Sequence, residues 1–332
     1  MLPESPAVAQ SPPARVPDFF IVGSPKTGTT SLHAMLRRHP QIYMPMLKEP
    51  QFLADDLRPD PKRARAARGL EYPQTLTDYL ALFEDASPEQ RVGEASTTYL
   101  TSHTAARCIS DLQPDARIIA ILREPASFLR SLHLQYVQVY METERDLRKA
   151  MALEESRRQG KHIPRGLRRP QLLQYSEQAR YVEQLTRYHS RFAREHMLVL
   201  IYDDFVSDNA ATVRQVLRLL DVDEDFPITV KKRNVTDRTV RSSRAGRVVY
   251  SMRKGHGPIA RTGKVAVTAL TTPRVRRNAA RLIRPLFVRD EVPPTDERFM
   301  LELRRRFKPE VVALSEYLNR DLVHLWGYDD LG

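Results

Sequence analysis

Residues 19–38 read Phe-Phe-Ile-Val-Gly-Ser-Pro-Lys-Thr-Gly-Thr-Thr-Ser-Leu-His-Ala-Met-Leu-Arg-Arg, an order typical of a strand, an anion-binding loop and a helix. The apolar run 19–22 stops at Gly23, as a buried strand of a parallel sheet does. Beyond the loop, apolar side chains recur at helical spacing, at Leu32, Met35 and Leu36. Gly23 and Gly28 have the spacing of a Walker A loop, in which backbone N–H groups and a helix N-terminus bind phosphate. The stretch therefore predicts a site for a phosphate-like anion.

The loop departs from a Walker A sequence in the position of its lysine. Thr29 follows the second glycine, where an NTPase has lysine, and the lysine of this chain is Lys26. The next clear strand, 117–122, is followed by Arg123 rather than by an aspartate that would hold Mg²⁺. Arginine binds phosphate by charge-assisted hydrogen bonds and does not ligate metals. These residues favour an anionic nucleotide bound without a divalent metal.

The loop resembles the 5′-phosphosulfate loop of sulfotransferases that use 3′-phosphoadenosine 5′-phosphosulfate. The segment 122–131, from Leu122-Arg123-Glu124 to Arg130-Ser131, resembles the 3′-phosphate site of that family. Further likeness lies in segments 93–100, 198–205, 307–310 and 325–326, so that the resemblance covers about 17–235 and 293–328. It implies an α/β fold with a P-loop-like parallel sheet flanked by helices in a single domain, and 3′-phosphoadenosine 5′-phosphosulfate as co-substrate without a metal.

The resemblance also implies a set of donor-binding residues. The loop would contact the 5′-phosphosulfate through Pro25, Lys26, Thr27, Gly28, Thr29, Thr30 and Ser31. Arg123 and Ser131 would hold the 3′-phosphate, and Arg233 would add a contact from a later loop. The alternative for Arg123 is a buried ion pair with Glu94 or Glu124.

Catalysis requires a group that neutralises the leaving oxygen and a base that takes the acceptor proton. Lys26 is placed for the first role. Glu49 is the candidate base, because Lys48-Glu49-Pro50-Gln51-Phe52 resembles the segment of the Golgi-type carbohydrate branch in which a glutamate is the base. Pro50 predicts an extended backbone at Glu49. The histidine context of the cytosolic branch is missing, and His33 or His133 would be the next candidates.

Composition limits the class of protein. The chain has 332 residues, 41% of them hydrophobic, and no apolar run long enough for a membrane span. The N-terminus lacks the pattern of a secretory signal, and one cysteine in the chain fits a reducing cytoplasm. Residues 1–17 are rich in proline and predict a disordered tail, which leaves 18–332 as one sulfotransferase domain. The histidines show no metal-ligand spacing.

The net charge of +12 is concentrated in one segment. Residues 231–290 contain 17 Lys or Arg and two acids, so the rest of the chain carries −3. Within this basic segment, 274–288 predicts a helix with one apolar side and a basic side of Arg274, Arg277, Arg281 and Arg284. That side fits a solvated surface, an anionic acceptor, or contact with an anionic membrane. Cytoplasmic localisation, with peripheral contact at the inner membrane surface, is the corresponding expectation.

The remaining pattern alternates strands and helices, which predicts a parallel sheet. Helices are expected near 30–38, 76–84, 101–111, 126–142, 171–195 and 210–220, a loop at 154–170, and strands at 19–23, 117–122 and 197–202.

Two other functions remain open from the sequence. A P-loop kinase acting on a small molecule would use the same loop, and a nucleic-acid or membrane-binding protein with a vestigial loop would use the basic segment. The near-neutral charge elsewhere argues against nucleic acid. The acceptor is expected to offer a hydroxyl, with an amine less favoured, on a carbohydrate, a glycolipid or a small molecule.

Overall fold

A parallel β-sheet forms the centre of the protein. The computed structural model describes residues 15–58, 72–165, 167, 169–227, 239–240, 288–289 and 294–331. The sheet has the order β2-β3-β1-β4-β5 and all its pairs are parallel. Its strands are β1 (Phe19–Gly23), β2 (Ile42–Tyr43), β3 (Arg91–Ala95), β4 (Arg117–Leu122) and β5 (Met197–Ile201). A separate antiparallel pair joins β6 (Thr239–Val240) to β7 (Val288–Arg289).

The helices surround this sheet and differ widely in length. They are α1 (Thr29–Leu36), α2 (Leu76–Leu80), α3 (Ala105–Leu112), α4 (Pro125–Gln138), α5 (Leu147–Ala152), α6 (Glu154–Arg158), α7 (Tyr175–Gln178), α8 (Tyr181–His189), α9 (Tyr202–Ser207), α10 (Asn209–Leu219), α11 (Glu297–Leu318) and α12 (Leu322–Leu325). Short 3₁₀ turns occupy Asp55–Leu57, Ala81–Phe83, Pro170–Leu173 and Arg194–His196.

Strand β1 is buried on both faces, which explains its unbroken apolar sequence. Phe19 and Ile21 face a core formed with α1 and α10, whereas Phe20 and Val22 face a larger core formed with α3, α4, α8 and α11. Successive side chains of a strand point to opposite faces, so each layer of helices receives alternate residues. The predicted α/β fold, with a P-loop-like parallel sheet flanked by helices, is confirmed.

The two-residue strands β2, β6 and β7 were not predicted, and neither was the longer β3, which lies beside β1. Strand β3 contains Gly93 and Glu94, which obscure a strand pattern. Glu94 is nevertheless completely buried, because Tyr79 and Tyr99 donate hydrogen bonds to its Oε2 at 3.1 and 2.7 Å. Gly93 packs so closely on Phe19 that a Cβ at this position would lie 2.1 Å from the Phe19 ring. Contacts with distant residues therefore decide the conformation here.

The long helix expected at 171–195 is wrong, although its apolar spacing is helical. The chain instead forms a 3₁₀ turn and the two helices α7 and α8. Carboxylates from two distant residues bind the first turns of α7 and α8 and so interrupt the expected helix. Glu154 accepts from the backbone N of Ser176 at 2.8 Å, and Glu310 accepts from the backbone N of Val182 at 2.8 Å. Likewise, the expected loop 154–170 begins with helix α6.

The C-terminal helices pack onto the body formed by the preceding chain. The apolar side chains Leu303, Phe307, Val311 and Leu314 of α11 belong to the same core as α4 and α8. Arg320 pairs with Asp204, and the Trp326 indole donates to Asp203 at 3.0 Å. These contacts fix α9, which follows directly after β5.

Several expectations fall on residues outside the described ranges. They are the tail up to residue 14, Arg233, the predicted helix up to residue 287, and most of the basic segment 231–290. Among the described residues, no helix combines the length and the apolar character that crossing a bilayer requires.

Candidate active site

A cleft of about 1320 Å³ opens at the carboxyl ends of the central strands. This edge of a parallel sheet is where α/β proteins bind ligands. Most of the residues proposed from the sequence line it, namely Pro25, Lys26, Gly28, Thr29, Thr30, Ser31, Lys48, Glu49, Arg123 and Ser131. The fold thus brings the loop, the 3′-phosphate candidates and the candidate base to one space.

The loop after β1 is shaped by Gly28 and Thr27. Gly28 has φ 86°, and a Cβ there would lie 2.6 Å from the Phe205 ring, so only glycine fits without displacement. Its carbonyl accepts from the backbone N of Ser31 and of Leu32, which starts α1. Thr27 does not line the cleft, since its buried hydroxyl donates to the Ser24 carbonyl at 2.6 Å. Any contact of Thr27 with a ligand would therefore come from its backbone N–H.

Lys26 and Arg123 bring two positive charges to the same end of the cleft. Burial, and then the nearby charge of Arg123, lower the pKa of Lys26. The Arg123 guanidinium donates to the Lys26 carbonyl at 3.4 Å, and it lies over the Tyr202 ring at 4.7 Å. Within the described ranges, neither cation has a carboxylate within ion-pair distance. Two like charges without a counter-charge among the described residues favour the binding of anionic groups.

The buried ion pair considered for Arg123 is absent from the described part of the chain. Glu124 instead caps α4, accepting from the backbone N of Ala126 and Ser127 at 3.0 and 2.6 Å. It also lies 3.7 Å from Arg304. The Arg123 guanidinium therefore remains at the cleft, whereas the Glu124 carboxylate caps α4.

Helix α4 contributes a row of three cleft residues, of which the sequence analysis named only Ser131. Ser127, Arg130 and Ser131 line the cleft together, because residues three and four apart share one face of a helix. Tyr202 and Phe205 line it from α9. The spacing from Ser131 could have indicated Ser127. Tyr202 and Phe205 belong to segment 198–205, which carries part of the resemblance, but only the fold places their side chains at the cleft.

The expected extended backbone at Glu49 is wrong. Glu49 has φ 63°, in the left-handed region, and its backbone N donates to the Ala95 carbonyl at 3.0 Å. This contact with the end of β3 outweighs the preference that Pro50 imposes. The turn directs the carboxylate to Thr97 and Lys48.

Three hydrogen-bond donors lie close to the Glu49 carboxylate. Lys48 Nζ lies 2.6 Å from Oε1, the Thr97 hydroxyl donates to Oε1 at 3.0 Å, and the Thr97 backbone N donates to Oε2 at 2.8 Å. Thr97 was not among the residues proposed from the sequence, although segment 93–100 carries part of the resemblance.

The two alternative bases lie away from the cleft lining. His33 is 7% exposed, and burial followed by the charges of Lys48 and Arg37 lowers its pKa to about 4. His133 is also buried, which lowers its pKa, and its Nε2 lies 2.9 Å from the Glu144 carbonyl. Glu49 is the better placed of the three.

In the part of the chain that the structure describes, no three His, Cys, Asp or Glu side chains are grouped to hold a metal ion. The independence from metal expected above stays a prediction.

A family model described as "Sulfotransferase family" matches residues 17–226, more than half of the 332 residues. A sulfotransferase structure from Alicyclobacillus acidocaldarius has 26% sequence identity and a TM-score of 0.63, covering 93% of this chain and 98% of that one. Mouse carbohydrate sulfotransferase 15 is 30% identical over 36% of this chain. The bovine bifunctional heparan sulfate N-deacetylase/N-sulfotransferase 2 is 31% identical over 34% of this chain.

The curated relatives are much longer than the matched part. The match spans 27% of the mouse protein and 12% of the bovine one. The bacterial structure, by contrast, is similar over nearly its whole length.

Proposed function

Because the chain belongs to the sulfotransferase family, we propose that its cleft transfers a sulfuryl group from 3′-phosphoadenosine 5′-phosphosulfate to an acceptor hydroxyl. The observation that carries this proposal is the pair of cations, Lys26 and Arg123, that face the cleft without a counter-charge among the described residues. The family match favours this transferase over both alternatives, the P-loop kinase and the protein that binds nucleic acid or membrane.

The donor would occupy the cleft through its two phosphate groups. The 5′-phosphosulfate fits the loop 25–31, where backbone N–H groups and the N-terminus of α1 favour negative charge. The 3′-phosphate fits Arg123 and Ser131, one before and one within α4. Arg233 stays a proposed additional contact from outside the described ranges.

The transfer needs one proton acceptor and one stabilised leaving group. A Glu49 carboxylate oxygen takes the proton of the acceptor hydroxyl as the acceptor oxygen forms its bond to sulfur. The bond from sulfur to the bridging 5′-phosphate oxygen breaks, and its electron pair remains on that oxygen beside Lys26. The products are a sulfate ester, 3′-phosphoadenosine 5′-phosphate and a proton that Glu49 passes to solvent.

For the acceptor we propose a carbohydrate hydroxyl, ahead of a glycolipid or a small molecule. The support is the names of the relatives, which include a carbohydrate sulfotransferase and a heparan sulfate N-sulfotransferase. The second name keeps an amine as the less favoured acceptor group. We further propose that residues 18–332 form a single domain, which is supported by the packing of α11 into the core of the matched region.

Calorimetric titration tests the donor, with 3′-phosphoadenosine 5′-phosphate and ATP compared on the same preparation. The first nucleotide should bind more tightly, because Arg123 and Ser131 face its 3′-phosphate. Tighter binding of ATP together with Mg²⁺-dependent turnover would instead establish the kinase. A screen of carbohydrates with sulfur-labelled donor then identifies acceptors.

Substitution of Glu49 tests the base. Glu49→Gln keeps the shape of the side chain and should lower kcat by about 10²-fold or more, the usual worth of general base catalysis. Affinity for 3′-phosphoadenosine 5′-phosphate should not change. Glu89→Gln, which alters an exposed carboxylate outside the cleft lining, is the matched control. Normal turnover in Glu49→Gln would show that another group takes the proton.

A further inference from the structure

Thr97 contacts both oxygens of the Glu49 carboxylate. Its backbone N donates to Oε2 at 2.8 Å, and its hydroxyl lies 3.0 Å from Oε1 and 3.2 Å from Oε2. The residue lines the cleft and is only 6% exposed. A side chain so enclosed, with its proton directed to Glu49, is better suited to hold the carboxylate than to bind a substrate.

Ala95, the last residue of β3, and the two residues that follow it together anchor the segment that carries Glu49. The Ala95 carbonyl accepts from the backbone N of Glu49 at 3.0 Å, and the Ser96 hydroxyl accepts from the backbone N of Gln51 at 2.9 Å. Thr97 then holds the carboxylate itself. The left-handed φ of 63° at Glu49 is unfavourable for a residue with a Cβ, and such a conformation persists where surrounding contacts determine it.

The hydrogen-bond donors around Glu49 also give its two carboxylate oxygens different roles. Each oxygen of a carboxylate has about two acceptor positions. Oε1 receives Lys48 and the Thr97 hydroxyl, so both of its positions are used. Oε2 receives mainly the Thr97 backbone N, which leaves it one position.

We propose that Thr97 is a positioning residue for the transfer, holding Glu49 so that Oε2 takes the acceptor proton. This inference rests on the proposed function, in which Glu49 is the base. The hydroxyl prevents rotation of the carboxylate about its terminal bond, and the proton-accepting lone pair of Oε2 stays directed at the acceptor. A misoriented base would leave substrate binding intact and slow the chemical step.

The test compares single variants at Thr97 and Thr98, with Glu49→Gln alone and combined with Thr97→Val, by steady-state kinetics, nucleotide titration and thermal unfolding. Thr97→Val removes the hydroxyl and keeps the volume and the backbone N–H, and it should lower kcat by about 10- to 150-fold, the worth of one hydrogen bond to a charged group. Thr97→Ser restores the hydroxyl and should recover most of that loss. The matched control is Thr98→Val, because the neighbouring Thr98 hydroxyl is buried without a hydrogen-bond partner among the described residues.

The expected result is a loss in kcat confined to Thr97→Val, with unchanged acceptor KM and unchanged affinity for 3′-phosphoadenosine 5′-phosphate. In a Glu49→Gln background, Thr97→Val should add no further loss. If Thr97→Val keeps wild-type kcat while Glu49→Gln loses it, the inference is overturned and the proposed function stands. The inference also fails if Thr97→Ser is as slow as Thr97→Val, or if lost nucleotide affinity and lost thermal stability accompany the slower rate. Full turnover in Glu49→Gln would instead overturn the role of Glu49.

Discussion

Replacing Arg123 by alanine should separate 3′-phosphoadenosine 5′-phosphate from adenosine 5′-phosphate, two ligands that differ by one phosphate group. Arg123 is partly buried, lies against Tyr202, and has no carboxylate partner among the described residues. Its guanidinium is therefore available for a charge-assisted bond to the 3′-phosphate. Loss of such a bond costs about 1.5–3 kcal/mol.

That free energy corresponds to a loss of about 10- to 150-fold in affinity for 3′-phosphoadenosine 5′-phosphate. Adenosine 5′-phosphate should bind to the variant almost as it binds to the wild type. Removing Arg123 also removes one of the two causes that lower the pKa of Lys26, so the charge at the 5′-phosphate site is retained. Arg123→Lys should give an intermediate loss, because an ammonium keeps the charge without the planar pair of donors.

Isothermal titration of both nucleotides measures this difference. Arg117→Ala is the control, because Arg117 begins β4, the strand that Arg123 follows, and lies at the end of β4 away from the cleft. Equal losses for the two nucleotides in a folded Arg123→Ala protein would refute the assignment of the 3′-phosphate to Arg123.

Four other predictions concern charge and stability. Lys26→Ala should lower both donor affinity and turnover. In the wild type, titrations across a pH series should show donor affinity falling as pH rises through the pKa of Lys26. Because that pKa is lowered, the fall should occur at a lower pH than the pKa of an ordinary lysine. Turnover should persist in excess chelator, and a requirement for Mg²⁺ would contradict the proposed chemistry. Arg157→Met should lower the free energy of unfolding by about 3–5 kcal/mol in urea titrations, because Glu142 would be left as an unpaired charge with 0% side-chain exposure. Combined neutralisation of the basic side should raise KM for an anionic acceptor, flatten its salt dependence and spare donor affinity; normal acceptor kinetics at low salt would indicate a solvated surface. The residues for this last variant are Arg274, Arg277, Arg281 and Arg284.

The sequence was sufficient to predict the elements whose conformation is decided locally. Apolar runs predicted β1 and β4, and Gly23 and Gly28 predicted the end of β1 and the start of α1; these predictions are confirmed. The fold class followed from the alternation of such elements. Most of the candidate donor residues lie in or directly after these elements, which is why they could be named in advance.

The features that were missed depend on contacts between distant parts of the chain. Glu94 can occupy a buried strand only because two tyrosines solvate its carboxyl, and burial still raises its pKa to about 7. The interrupted helix depends on carboxylates from α6 and α11. The conformation of Glu49 and the role of Thr97 depend on the approach of two segments separated by 48 positions. Neither spacing nor composition reports such contacts.

The strand order has a stereochemical consequence for the sulfur atom. Strand β1 lies between β3 and β4 in the sheet. The loop follows β1 and Arg123 follows β4, whereas Glu49 is held by residues at and after the end of β3. With the donor bound as proposed, the acceptor oxygen approaches sulfur from the β3 side while the phosphate leaves toward the β4 side. A single displacement of this geometry inverts the configuration at sulfur. A donor made chiral with oxygen isotopes should therefore yield product of inverted configuration, whereas a covalent sulfo-enzyme intermediate would produce retention.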